Sequence, residues 1–207
     1  MFERIVIATG NEGKRKELEE ILRDVLDRPV TVLTAADVDL PKVVEDGVTF
    51  AANAELKARS AAEYTGLPAI ADDSGLAVNV LGGAPGIFSA RWSGRHGDDV
   101  ANYELLLAQL ADVPDEHRQA AFCCAAVFID PTEGPAPEAV VAEGRMTGRL
   151  GREPIGEQGF GYDPIFYPDG HDITAAQLSA GEKNAISHRG KALRSLAQLL
   201  AARSDGS

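Results

Sequence analysis

Cysteine, positive charge and long apolar segments are all scarce in this 207-residue sequence. The two cysteines, Cys123 and Cys124, are adjacent and lack CxxC spacing, so we expect free thiols in a reducing compartment. Lysine and arginine total 20 against 32 acidic residues, and the net charge of -12 argues against a broad nucleic-acid or anionic-membrane surface. The amino terminus lacks a basic region followed by a long apolar segment, so we expect neither a signal peptide nor a membrane span, and a cytoplasmic location.

Hydrophobic periodicity predicts strands that alternate with helices. The expected strands are 5–8, 30–33, 67–71, 120–129 and 139–146. The expected helices are one that follows Asn11 and is ended by Pro29, one at 49–64 with Gly66 as its stop, one through Leu110 that Asp98 or Asp99 could cap, and one at 190–203. Because helices are mixed with both a local hairpin and separated strands, the pattern indicates an α/β fold with a mixed sheet. No repeat or linker is evident, so we expect one domain over residues 1–203 and a frayed tail at 204–207.

Two adjacent carboxylates, Asp72 and Asp73, follow the apolar run 67–71, and a second short apolar run, 76–81, precedes a glycine-rich segment. Strand side chains alternate, so the two would converge only if the strand ended between them. Carboxylates at a strand end are typical ligands of hard cations that keep water for substrate phosphates. A solvated turn explains this stretch equally well.

Other segments could bind a phosphorylated ligand. Residues 9–14, TGNEGK, lie between a strand and a helix, where backbone N–H groups and a lysine attract anions, although the spacing is too short for a Walker loop. Asn53 and Lys57 are four residues apart on one helix face, downstream of Glu45. Each of these two features alone is better explained as a helix start or a solvated helix face.

Two later segments carry aromatic and basic side chains. The segment FGYDP at 160–164 could stack on a base or pack its aromatics on the core. The segment GEKNAISHRGKA at 181–192 places Ser187 next to His188, but there is no GxSxG elbow, and adjacent residues at a helix start do not meet as nucleophile and base. The alternative there is a helix cap with exposed His188 and Arg189.

These segments together resemble the inosine triphosphate pyrophosphatase family, and most of all its bacterial members that act on dITP and XTP. The matching pieces, in the family's order and over nearly the whole chain, are ATGNEGK, EDGVTFAANAELKA, PAIADDSGLAVNVLGGAPGIFSAR, GFGYDPIF and EKNAISHRGKAL. Trp92 stands where relatives often have tyrosine, a change expected to matter little. The resemblance implies an elongated two-lobed α/β homodimer with the nucleotide in a cleft between the lobes and Mg²⁺ as cofactor.

The family's roles carry over to matching positions. By resemblance, Asp73 is the general base that activates water, and Asp73, Glu45 and Asp72 hold Mg²⁺ or order its waters. The same resemblance assigns the triphosphate to Thr9, Gly10, Asn11, Glu12, Gly13, Lys14 and Lys57, with Ser74 nearby. It assigns the sugar and base to Phe160, Gly161, Tyr162, Asp163, Lys183, His188 and Arg189.

The implied reaction is attack of water at the α-phosphorus of ITP, dITP or XTP, which yields a monophosphate and pyrophosphate. N–H groups of His188 or Arg189 would donate hydrogen bonds to the 6-oxo oxygen of these bases and disfavour adenine, whose 6-amino group is itself a donor. Alternatives are a related pyrophosphatase for modified pyrimidine or methylated nucleotides, and a nucleotide-binding module without turnover.

Overall fold

The chain folds into a six-stranded mixed sheet with five α-helices in its described part. The computed structural model describes residues 2–9, 12–26 and 29–205, except the side chains of 12–14, 204 and 205. The elements are β1 Arg4–Ile7, α1 Glu12–Leu26, β2 Thr31–Thr34, α2 Phe50–Thr65, β3 Ala69–Val78, α3 Asp99–Gln109, β4 Gln119–Ile129, β5 Val140–Leu150, β6 Phe166–Pro168, α4 Ala180–Ile186 and α5 His188–Asp205.

The sheet has the strand order β2-β1-β3-β4-β5-β6. Strand β1 is parallel to β2 and β3, whereas β5 and β6 are antiparallel. This combination confirms the predicted α/β fold with a mixed sheet. No helix in the described residues combines the length and apolar character needed to cross a bilayer.

Helix α2 lies within one residue of its predicted bounds at each end, and Gly66 ends it as predicted. The Thr49 hydroxyl accepts a hydrogen bond from the Ala52 backbone N–H at 3.1 Å, which satisfies one free donor of the first turn. At the other end, Gly66 adopts φ 67°, a left-handed conformation that glycine takes without steric cost, and its N–H bonds to Ala62 O at 2.9 Å. Both ends of the helix are therefore fixed by local interactions.

The chain divides into two compact units, each built from separate segments. One comprises Met1–Asp73, Cys124–Gly144 and Arg189–Ser207, and the other comprises Ser74–Cys123 and Arg145–His188. We call them the first and the second unit. Strands β3, β4 and β5 each run from one unit into the other along the chain.

The first unit has a hydrophobic core on each face of its strands. Ile5, Ile7 and Ile70 pack with residues of α1 and α5. The alternating residues, including Val6, pack with the buried alanines of α2. Whether a strand residue faces α1 and α5 or faces α2 therefore depends on its place in the alternation of side chains along the strand.

The second unit has one core, which includes Leu76 and Leu106 together with residues of β4, β5 and β6. A buried arginine, Arg118, ties this unit together. Its guanidinium donates to the carbonyls of Leu110, Leu150 and Gly151 at 2.6, 3.1 and 2.6 Å.

Three predicted boundaries differ from the structure. Strand β3 does not end at the carboxylates but continues to Val78, so the two apolar runs of the sequence form one strand. Strand β5 continues to Leu150, beyond the predicted end at Met146. Helix α5 extends to Asp205, two residues into the predicted tail, whereas residues 206–207 lie outside the described part.

Candidate active site

The continuous strand β3 directs the two adjacent carboxylates to opposite faces, and the strand end that would have let them converge is absent. Ile70 faces α1 and α5, while Ala69 and Ala71 face α2. Alternation therefore directs Asp72 towards α1 and α5 and Asp73 towards α2. The expectation of a strand end at this point is wrong, and each carboxylate has its own set of partners.

Asp73 is held by two side chains one turn apart on α2. Asn53 Nδ2 donates to Asp73 Oδ2 at 3.2 Å, and Lys57 Nζ lies 3.4 Å from Asp73 Oδ1. The same ammonium lies 3.4 Å from Glu45 Oε2. One lysine thus stands between two carboxylates, and the structure brings together Glu45, Lys57 and Asp73 of the predicted site.

The environment of Asp73 favours its protonated form. Burial raises the pKa of the Asp73 carboxyl above its usual value, and the nearby Glu45 carboxylate adds to the rise. The Lys57 charge and the Asn53 hydrogen bond oppose it but do not cancel it. A raised pKa makes the ionised carboxylate a stronger base than that of a free aspartate.

Asp72 pairs with Arg189 at the start of α5. Asp72 Oδ1 lies 3.3 Å from Arg189 Nε, and the Arg189 guanidinium also donates to Glu17 on α1. All three side chains are largely buried. The two predicted residues Asp72 and Arg189 therefore lie together, in a cluster that the sequence did not indicate.

The predicted three-carboxylate metal set does not form one cluster. Among the described residues, no three His, Cys, Asp or Glu side chains come together in a way that could hold a metal ion. Glu45 and Asp73 face the same ammonium, whereas Asp72 pairs with Arg189. Strand alternation is the reason, because neighbouring residues of a continuous strand point to opposite faces.

Only part of the predicted phosphate segment can be placed. Thr9 lies just after β1, and its carbonyl accepts a hydrogen bond from the N–H of Ala35, just after β2, at 3.0 Å. Gly10 and Asn11 lie outside the described residues, as do the side chains of residues 12–14. The backbone of Glu12 onward forms the first turn of α1, as the strand–turn–helix pattern predicts.

In the second unit, Asp163 organises the aromatic segment. Its buried carboxylate accepts a hydrogen bond from Phe160 N at 2.8 Å and pairs with the Lys183 ammonium. That ammonium lies 4.9 Å from the centre of the Phe160 ring. Phe160 itself is 72% exposed. The segment therefore exposes the Phe160 ring to solvent next to the ion pair of Asp163 and Lys183.

The neighbouring predicted residues have different surroundings. The Tyr162 hydroxyl donates to Ser89 O at 2.9 Å, and burial raises the pKa of this phenol far above its usual value, so it stays protonated. Its side chain is part of the core, as the alternative interpretation of this segment has it. Gly161 N donates to Asp99 Oδ2 at 2.7 Å. The His188 ring stacks on Phe122, with centroids 5.1 Å apart.

Ser74 directly follows Asp73 in strand β3. Its Oγ is buried and has no hydrogen-bond partner among the described residues. A buried hydroxyl without a partner is uncommon in native structures. Its predicted place beside the phosphates stays a prediction.

Three residues that support these side chains were not predicted. Glu17 pairs with Arg189 across 172 positions, and no local pattern marks such a partner. Asp99 was considered only as a possible helix cap, a role that Asp98 fills. Asn53 was noted for its spacing from Lys57 but was better explained as a solvated face. It is 1% exposed, so that interpretation is wrong.

Comparisons with known proteins agree with the motifs. The model of the Ham1 family matches residues 5–199. A protein of Streptomyces avermitilis named dITP/XTP pyrophosphatase is 58% identical over 193 residues, which cover 93% of this chain and 94% of that protein. One of the same name from Escherichia coli O157:H7 is 50% identical over 199 residues, covering 96% and 98%.

Solved structures give the same result. A HAM1 protein from Coxiella burnetii superposes with a TM-score of 0.87 at 42% identity and covers 98% of this chain and 100% of its own. A nucleoside-triphosphatase, also named dITP/XTP pyrophosphatase, from Mycobacterium abscessus gives 0.77 at 49% identity, covering 93% and 98%. The family model spans most of the chain and the relatives match over nearly their full length, so the chain belongs to the Ham1 family.

Proposed function

We propose that this protein hydrolyses the deaminated purine nucleotides ITP, dITP and XTP to the monophosphate and pyrophosphate. The relatives' names support this substrate class. The observation that carries the proposal is the group around Lys57, in which a buried carboxylate with a raised pKa, Asp73, shares an ammonium with Glu45. A nucleotide-binding module without turnover would not need such a base.

The residues around Lys57 fit a magnesium ion. Mg²⁺ prefers oxygen ligands and is held by one or two carboxylates together with substrate phosphates. Asp73 and Glu45 supply two carboxylates that already face one positive charge. Bound there, Mg²⁺ would lower the pKa of a water molecule and offset charge on the phosphates. A contribution of Asp72, which is paired with Arg189, stays a prediction.

In the proposed reaction, Asp73 accepts the proton. As the water oxygen bonds to the α-phosphorus, the bond from that phosphorus to the bridging oxygen breaks and pyrophosphate leaves. The proton of the water passes to the Asp73 carboxylate, whose raised pKa favours this transfer. Lys14 and Lys57 would neutralise the triphosphate locally, which would let an acidic protein bind a polyanion.

The base would stack on the exposed face of Phe160. The backbone N–H of Phe160 bonds to the Asp163 carboxylate, and the Lys183 ammonium lies over the Phe160 ring. Base–aromatic stacking tolerates any purine, so discrimination must come from hydrogen bonds. We assign the 6-oxo group to donors on His188 or Arg189, although two nitrogens of Arg189 already contact Asp72 and Glu17.

Two further features belong to this proposal. The family resemblance implies a homodimer, which light scattering after size-exclusion chromatography will test. We also propose a cytoplasmic location, because two adjacent cysteines without CxxC spacing are typical of a protein in a reducing compartment.

Pyrophosphate release tests the function. With Mg²⁺ present, we expect fast release from ITP, XTP and dITP, slow release from GTP and ATP, and a loss of about 10²–10⁴-fold in Asp73→Asn. Omission of Mg²⁺ should abolish turnover. Equal rates on ATP would refute the base-recognition role of His188 and Arg189, and binding without release would indicate a binding module.

A further inference from the structure

We propose that Asn53 is a positioning residue that fixes the Asp73 carboxylate against α2 and holds the segment that carries Glu45. The inference rests on the proposed function, since it concerns how the general base is oriented. Asn53 does not contact the reacting atoms in this scheme. It acts through its contacts with Asp73 and Gly47.

The two oxygens of Asp73 are held by different donors. Asn53 Nδ2 bonds to Oδ2 at 3.2 Å, and Lys57 Nζ lies 3.4 Å from Oδ1. Both donors are on α2, one turn apart, and that helix is capped at each end. Two contacts from one rigid element define the plane of a carboxylate. Loss of the Asn53 contact leaves a single flexible lysine, which lets the carboxylate rotate.

The segment that carries Glu45 packs on the same amide. A Cβ built on Gly47 would lie 2.6 Å from Asn53 Oδ1 and 2.9 Å from Asn53 N, closer than a side chain can approach. The backbone at Gly47 therefore lies directly against Asn53. Glu45 is only two residues earlier, and its carboxylate reaches Lys57. Asn53 and Lys57 together thus contact both carboxylate-bearing segments.

Only one of the two polar atoms of the Asn53 side-chain amide, Nδ2, has a hydrogen-bond partner among the described residues. Asn53 is 1% exposed, and its Oδ1 has no hydrogen-bond partner among the described residues. A buried acceptor without a partner destabilises the folded state, whereas the bond from Nδ2 to a carboxylate stabilises it. Replacement by an apolar residue of the same shape removes both effects. Stability and catalysis can therefore respond differently to this substitution.

Asn53→Leu, with Asn102→Leu as its control, tests the inference. Asn102 is equally buried, but its Oδ1 accepts a hydrogen bond from Ser93 N at 2.8 Å. Asn102 is not among the residues predicted to bind the metal ion or the nucleotide. We expect Asn53→Leu to lower kcat by about 10–100-fold with KM changed less than about twofold, because misplacement of a reacting group is costly in kcat. Its Tm should stay within about 2 °C of the wild type, because the two effects offset each other.

The control should show the opposite pattern. Asn102→Leu loses a satisfied hydrogen bond and leaves the Ser93 N–H without its acceptor, so its Tm should fall by several degrees while kcat per folded molecule is unchanged. Asn53→Ser, whose hydroxyl is too short to reach Asp73, should share the kcat loss, and it replaces the leucine variant if that one does not fold.

The outcomes separate this inference from the proposed function. A wild-type protein that releases no pyrophosphate from any of the nucleotides refutes the function. If the wild type is active but both Asn53 variants keep their kcat, the positioning role is wrong and the function stands. A loss of activity that disappears when kcat is expressed per folded molecule, as for a purely structural residue, also overturns the positioning role.

Discussion

Asp73→Asn should make the protein more stable while it removes the activity. Burial raises the pKa of Asp73 in the folded state. The ionised carboxylate therefore destabilises the fold relative to a neutral side chain of the same shape. The contribution of Asp73 to stability is fully present below the pKa of an unfolded aspartate, about 3.9, and is lost as the pH rises through the folded-state pKa. At pH 7 the asparagine variant should consequently be the more stable protein.

The size of the effect follows from the same linkage. Each pKa unit by which folded Asp73 exceeds an unfolded aspartate contributes about 1.4 kcal/mol. For a chain of this length, about 1 kcal/mol corresponds to a change in Tm of about 2–4 °C. The Asp73 side chain is 15% exposed, so solvent screening reduces the effect little. We therefore expect a higher Tm at pH 7, with a gain that disappears as the pH falls towards 4.

Thermal unfolding between pH 4 and pH 8, without nucleotide or metal, measures this difference. Asp37→Asn is the matched control of opposite sign. Hydrogen bonds from the backbone N–H and hydroxyl of Thr34 lower the pKa of Asp37, so its variant should be less stable at pH 7 and match the wild type only in acid. A lower Tm for Asp73→Asn at pH 7, or a difference independent of pH, would refute the reasoning.

Three further predictions concern the second unit. Arg118→Met should lower the unfolding free energy by about 3–5 kcal/mol in urea, because three carbonyls lose a buried donor. The more exposed Arg152→Met should cost at most about 1 kcal/mol, and equal losses would contradict this account. Phe160→Ala should raise KM about tenfold with little change in kcat, since one base stack is lost, and an unchanged KM would exclude stacking. Glu182 has a pKa lowered by the Ser179 hydroxyl and N–H, so its stabilisation is present above about pH 4.3 and is lost as the pH falls through the folded-state pKa. Glu182→Gln should thus show a smaller fall of Tm between pH 5 and pH 3, and an identical fall would exclude the ionic contribution.

The elements that the sequence predicts well are those with local signals. The ends of α2 depend on Thr49 and Gly66, whose side-chain and backbone properties act within one helical turn. The mixed sheet follows from apolar runs and their separation. Strand β3 was divided wrongly because Asp, Ser and Gly are common in turns, whereas here pairing with neighbouring strands keeps the backbone extended.

The sequence predicted which residues belong to the candidate site, but not which of them contact each other. The motifs identify Asp73, Glu45 and Lys57 as functional, yet only the fold shows that one ammonium contacts both carboxylates. Arg189 was expected to face the base, and its contact with Glu17 depends on residues 172 positions apart. Such pairs arise from tertiary packing, which a single sequence does not encode in any local pattern.

The two adjacent carboxylates differ in the kind of cation that each contacts. Asp72 pairs with Arg189, whose planar guanidinium donates from several nitrogens and also contacts Glu17. Asp73 contacts Lys57, a compact charge on a flexible chain that moves aside more easily. When a nucleotide and its metal ion bind, the ion must either displace the Lys57 ammonium from Asp73, the general base, or bind beside that ammonium. We therefore expect the metal ion to replace the Lys57 ammonium at Asp73. Asp72 and Arg189 should stay paired and connect β3 with α1 and α5.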